Sequence, residues 1–180
     1  MIADRDRSML LVVDVQEAML KAISVWEETV RRVSQLVRAA TVLNIPVLVT
    51  EHYKKGLGAT ISQLDPMLKQ ASFFQKEHFS ACLEGDFPQT VRSFDRSQII
   101  LTGMESHVCV FQTGMDLIQS GYQVHLVRNA VASRFKEDWI TAVDLFRDAG
   151  AVITSTEMVI FQWVRRSNTD QFRAVLPIVK

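Results

Sequence analysis

Four stretches of this chain are apolar at consecutive positions: "MLLVVDV" (Met9–Val15), "IPVLVTE" (Ile45–Glu51), "SQIILTGM" (Ser97–Met104) and "YQVHLVRNA" (Tyr122–Ala130). A strand with one wet face alternates apolar and polar residues. A strand covered on both faces does not, and parallel sheets buried under helices are built from such strands. A fifth stretch, "AVITSTE" (Ala151–Glu157), is shorter and turns polar at its end. Helical periodicity lies between the runs. Val30, Val33, Val37 and Ala40 recur every three or four residues within Trp26–Leu43. Val108, Phe111, Met115 and Ile118 do the same before Gly121, and Trp139, Val143 and Phe146 before Gly150. Strands joined by crossover helices give a parallel sheet with helices on both faces. The expected fold is a single doubly wound α/β domain over residues 1–180, with His52–Asp95 as long loops and short helices.

Size and charge agree with that expectation. A chain of 180 residues suits one domain, and 48% hydrophobic content suits a packed core. Twenty basic residues balance twenty acidic ones without a basic run, which argues against nucleic acid as the main partner. No apolar stretch reaches the length of a membrane span, and "MLLVVDV", broken by Asp14, lacks the features of a signal peptide. Cys82 and Cys109 show no metal-ligand spacing, so two free thiols in a reducing cytoplasm are expected.

Ligands of doubly wound sheets bind outside the carboxyl ends of the strands. That rule brings Asp14 and Gln16, then Glu51, His52 and Tyr53, then Glu105, Ser106, His107 and Cys109, to one edge. Arg128, Asn129, Ser133 and Arg134 follow from the fourth strand. Asp14 ends an apolar run and could cap the next segment or act as a general base. Cys109 falls in the first turn of a helix, where free amides and the helix dipole favour a thiolate. Cysteine is often a small buried hydrophobe, and from position alone that inert reading is the stronger one. Lys76 sits among aromatics in "FFQKEHFSA" and reads on its own as a surface lysine. His52, His78, His107 and His125 form no HxH or HExxH pattern, and "KKGLGAT" lacks the spacing of a phosphate-binding loop. His125, inside a strand, reads as structural. Pocket candidates from strand ends and flanking loops are Leu20, His52, Tyr53, Phe79, Glu105, His107 and Phe135.

Taken together, "LLVVDVQ", "TEHYKKGLG", "FQKEHFSA", "TGMESHVCV", "NAVASR" and "ITSTEMVIFQ" resemble the isochorismatase-like cysteine hydrolase superfamily, which includes nicotinamidases and N-carbamoylsarcosine amidases. The resemblance covers nearly the whole chain. It implies a catalytic triad of Asp14, Lys76 and Cys109, with Lys76 lowering the thiol pKa. It also implies a cis peptide between Met104 and Glu105, and an oxyanion hole from the backbone N–H groups of Glu105 and Cys109. The implied reaction is cleavage of a small amide or carbamoyl compound through a Cys109 thioester, without a cofactor. Metal-binding nicotinamidases carry Asp-x-His and a further histidine after strand two. Only His52 stands in the matching region here, so no metal is expected. The resemblance further implies a homo-oligomer with a small-molecule substrate. Two alternatives stay open: a binding module on the same fold without useful catalysis, and a thiol redox protein using Cys109, which lacks an evident resolving cysteine.

Overall fold

The computed structural model describes residues 2–180. Six strands form one sheet: β1 (Ser8–Val13), β2 (Val47–His52), β3 (Ser72–Lys76), β4 (Gln98–Met104), β5 (Gln123–Ala132) and β6 (Val152–Thr154). The order is β3-β2-β1-β4-β5-β6, and every pair is parallel. The helices are α1 (Glu17–Leu20), α2 (Trp26–Val42), α3 (Lys54–Leu57), α4 (Phe87–Ser93), α5 (Cys109–Gln119), α6 (Lys136–Asp148), α7 (Thr156–Val164) and α8 (Asp170–Val179). No helix among the described residues is long and apolar enough to cross a membrane.

The continuous apolar runs are explained by two cores. Leu10, Val12, Val49, Ile100 and Val127 face one way, into residues of α2, α7 and α8 such as Val33, Leu36, Val159 and Val175. Met9, Leu11, Val13, Leu48 and Leu101 face the other way, into Phe87, Val110, Leu117 and Phe146 of α4, α5 and α6. Successive strand residues point to opposite faces, so a strand covered twice must be apolar at every position.

Three features differ from the sequence expectation. The irregular segment 52–95 contains a strand, β3, at the edge of the sheet. Its pattern "SFFQK" hid it, because four of its five residues keep partial or full exposure. The fifth apolar run divides: only Val152–Thr154 is strand, and Thr156 already begins α7. On α5 the deeply buried face is Cys109, Val110, Thr113, Gly114 and Leu117, not the large residues Val108, Phe111, Met115 and Ile118. Small side chains let α5 lie close on the sheet. A Cβ on Gly114 would come within 2.7 Å of Leu101 and 2.5 Å of Phe146.

The chain runs outward through β1, β2 and β3, then returns to place β4 against the other side of β1. The connections leaving β1 and β4 therefore diverge, and a crevice opens between their carboxyl ends. At this point Gly103 has φ 116°, and a Cβ there would lie 2.0 Å from the Val13 carbonyl oxygen. The register with β5 shifts between Leu101 and Gly103. The Met104–Glu105 peptide that follows is cis.

Candidate active site

Asp14 is the first residue beyond β1. It is fully buried and held at φ 50°. Its Oδ1 accepts a hydrogen bond from Thr50 Oγ1 at 2.6 Å. Its Oδ2 lies 2.7 Å from Lys76 Nζ, and both side chains are shut off from solvent. Lys76 ends β3, two strands away from β1. Its ammonium also donates to His78 O (3.2 Å) and Phe79 O (3.1 Å). Three acceptors match the three protons of the ammonium, as a buried charge requires.

Cys109 opens α5 and is 4% exposed. Its Sγ, a carboxylate oxygen of Asp14 and a ring nitrogen of His52 all lie within 4.8 Å of one another. Burial, followed by the negative charge of Asp14, pushes the Cys109 thiol up to about 12, while the nearby Lys76 acts in the opposite direction. The resting group is thus a neutral thiol beside a carboxylate. The lowering influence of Lys76 is present, but burial outweighs it. In the loop before α5, Ser106 N–H donates to Ala132 O, and the Val108 and Val110 N–H groups donate to Glu105 O. The N–H groups of Glu105 and Cys109 have no acceptor among the described residues.

Above this floor is a cavity of about 310 Å³, lined by Met19, Ala22, His52, Leu57, Phe79, Glu105, Val108, Cys109 and Arg134. The His52 ring packs 5.4 Å from that of Phe79, and burial, then the Lys76 charge, hold its pKa below the usual histidine value. Glu105 Oε2 accepts from the Arg134 backbone N–H (2.9 Å) and from its Nε (3.1 Å). Gln16 ties the walls together. Its Nε2 donates to His52 O and Gly58 O, and its Oε1 accepts from His52 N–H at 2.7 Å.

The cavity gathers five of the residues singled out in the sequence: His52, Phe79, Glu105, Cys109 and Arg134. Leu20 packs against the core while its neighbours Met19 and Ala22 line the cavity. Tyr53 is half exposed and borders a separate cleft with Lys55 and Glu77. His107 turns to Ser133 Oγ (2.9 Å) and Asp138 (3.6 Å), and Phe135 is 65% exposed. Met19, Ala22, Leu57 and Val108 carry no chemical signal that a sequence could reveal. Gln16 and Arg134 were named in the sequence because the strand-end rule selects them.

The trio Asp14, His52 and Cys109 has the spacing of a metal site, but its electrostatics do not suit one. Three carboxylates at this edge already face a cation: Asp14 meets Lys76, Glu51 meets Lys54 at 2.8 Å, and Glu105 meets Arg134. A divalent ion beside Asp14 would sit against the Lys76 ammonium.

Residues 8–158 match the isochorismatase domain. The chain belongs to the isochorismatase family. It is 33% identical to isochorismatase family protein 1B of Dictyostelium discoideum, over 97% of this chain and 87% of that protein. It is 35% identical to a secreted isochorismatase effector, Isc1, of Phytophthora sojae, over 96% and 84%. A solved structure titled MAR1 ribonuclease from Caenorhabditis elegans superposes with a TM-score of 0.93 at 35% identity, covering 99% of this chain and 92% of that one. The fold is that of the isochorismatase-family hydrolases, and the buried Asp14–Lys76 pair with Cys109 beside it lies in the crevice of this isochorismatase domain.

Proposed function

We propose that the chain is a cysteine amidohydrolase acting on a small amide or carbamoyl compound, with Asp14, Lys76 and Cys109 as its catalytic residues. The observation that carries this reading is the buried Asp14–Lys76 ion pair, 2.7 Å long, beside a neutral thiol at the floor of a small cavity. A carboxylate in that position can take the thiol proton as sulfur attacks the carbonyl carbon. The resting thiol is too weak an acid to ionise first, so proton transfer accompanies attack. The free N–H groups of Glu105 and Cys109 supply donors for the oxyanion, each such donor contributing about 3 kcal/mol in comparable enzymes. Protonated Asp14 then gives its proton to the leaving nitrogen as the C–N bond breaks. This leaves a thioester and a free carboxylate. Water attacks the thioester with Asp14 as base, and the proton returns to sulfur as the acid product departs. Lys76 holds the carboxylate in place and favours the developing thiolate.

The cavity walls point to a compact, partly apolar substrate, with Arg134 and His52 as polar contacts. A homo-oligomer and a cytoplasmic setting belong to the same reading. The free thiols support a reducing compartment, although the Phytophthora sojae relative is named a secreted effector. A second reading comes from the Caenorhabditis elegans neighbour, titled a ribonuclease. A bound phosphodiester calls for unpaired cations, and Lys76 and Arg134 are both engaged by carboxylates. The amide reading is therefore the better supported.

The test is a panel of small amides, carbamoyl compounds and single-stranded RNA, run with the wild type, Cys109→Ala and Asp14→Asn. Intact-mass detection of an acyl adduct on Cys109 accompanies it. Hydrolysis that disappears in both variants, with the adduct seen in the wild type, supports the proposal. Full turnover by Cys109→Ala would sink it. Tight ligand binding without turnover in any variant would favour the binding-module alternative, and RNA cleavage the second reading.

A further inference from the structure

Lys76 depends on a short turn that has almost no packing of its own. Glu77, His78 and Phe79 are all exposed, yet the carbonyls of His78 and Phe79 take two of the three Lys76 ammonium protons. Burial cannot be what fixes this turn. Its far end is anchored on α5, where Ser80 Oγ bonds to Asp116 and Ala81 N–H donates to Thr113 Oγ1 at 3.0 Å. Its middle is held by one side chain, Glu84, which follows a 3-10 turn at Ala81–Leu83. A single oxygen, Glu84 Oε1, accepts from the backbone N–H of Glu77 (2.7 Å) and of His78 (2.9 Å) and meets His78 Nδ1 at 2.8 Å. The two amides point toward Glu84 while the carbonyls of the same turn point toward Lys76. The amides belong to the 76–77 and 77–78 peptides and the carbonyls to the next two, so Glu84 fixes the stretch of chain that leads directly into the carbonyls held by Lys76.

We propose that Glu84 is a positioning residue: its carboxylate clamps the 77–79 turn so that the His78 and Phe79 carbonyls hold the Lys76 ammonium against Asp14 and beside Cys109. This inference rests on the reading of those three residues as the catalytic group. Glu84 does not line the cavity. The same clamp steadies Phe79, whose ring lines the cavity and packs on His52.

The test uses the full chain with Glu84→Ala, Glu84→Gln and Asp14→Asn. Two readouts are followed: hydrolysis of the best amide from the panel, and the rate of Cys109 alkylation by iodoacetamide at about pH 9, with Cys82 as internal reference. Glu84 is outside both hydrophobic cores and its side chain is 23% exposed, so both variants should stay folded, with at most a modest drop in the thermal transition from the lost hydrogen bonds. Glu84→Ala is expected to lower kcat about tenfold with KM nearly unchanged, and to slow Cys109 alkylation about threefold or more, since Lys76 no longer favours the thiolate. Glu84→Gln keeps an oxygen acceptor for both amides and should recover most of that loss. Wild-type kcat and alkylation in Glu84→Ala, alongside an inactive Asp14→Asn, would overturn the inference and leave the triad standing. So would a Glu84→Gln variant as slow as Glu84→Ala. Wild-type turnover by Asp14→Asn would remove the triad reading and the inference with it. If no amide on the panel is turned over, the alkylation rates alone decide: unchanged Cys109 reactivity in Glu84→Ala refutes the clamp.

Discussion

The two cysteines share more than their functional prospects suggest. Both are free, and burial raises both thiols far above their ordinary pKa, Cys82 to about 11 and Cys109 to about 12. Both also have a carboxylate nearby that makes ionisation harder, Asp116 for Cys82 and Asp14 for Cys109. The difference is in the other groups around each sulfur. Cys82 Sγ faces the Thr113 carbonyl at 3.8 Å, and no cation favours its ionised form. Cys109 has the Lys76 ammonium nearby, its own N–H and that of Glu105 without an acceptor among the described residues, and a cavity in front of it. On the proposed reading, resting acidity does not separate the two thiols. What would separate them is whether the proton and the product charge have somewhere to go when substrate arrives.

Asp14→Asn tests that contrast most severely. It leaves Cys109 in its cavity without a base, and turnover should fall about 10²- to 10⁴-fold, measured as kcat on any amide the wild type hydrolyses. Lys76→Met comes next. It leaves the Asp14 carboxylate buried without its cation, which should cost about 3–5 kcal/mol of stability in urea unfolding. A loss below about 1 kcal/mol would mean that the pair contributes little to the contrast.

A third buried titratable group shows burial as the leading cause of a shift. His125 is fully buried on β5, and neither ring nitrogen has a hydrogen-bond partner among the described residues. Burial pushes its pKa down to about 4 from 6.5. The folded state keeps the imidazole neutral, whereas the unfolded chain binds a proton as pH falls. Stability is thus complete above about pH 6.5 and lost toward pH 4, by about 3 kcal/mol at the lower end. His125→Leu should flatten that limb in tryptophan-monitored unfolding at a series of pH values. The smallest effect is expected for Cys82→Ser, with kcat within about twofold of wild type. A larger loss would erase the distinction between the two thiols.

How far a sequence reading reaches depends on where a segment's energy comes from. β1, β4 and α2 are legible because their burial is written into their own residues: "LLVV", "QIIL" and the Val30–Val33–Val37 stripe. β3 was not legible, because its place at the edge is fixed by pairing with β2 rather than by its own pattern. The buried face of α5 was misjudged for a related reason. Periodicity counts large apolar residues, whereas the close approach to the sheet selects Thr113 and Gly114.

The sequence by itself determined the parallel, doubly covered sheet and the edge at which chemistry can occur. Hydrophobic period and strand-end position are local properties of the chain. It also placed Asp14 and Cys109 at that edge. What Lys76 faces was implied by the family resemblance alone, not by its own neighbours in sequence, and the tertiary structure places it against Asp14. Sixty-two residues separate it from Asp14 by numbering, and nothing near it in sequence indicates an ion pair. The return of the chain through β2 and β3 brings the two together at 2.7 Å. The resting state of Cys109 was likewise settled in three dimensions. The start of a helix argues for a thiolate, but burial beside Asp14 argues more strongly for the thiol. Desolvation and Coulomb energy depend on distance in space, which residue order alone does not supply.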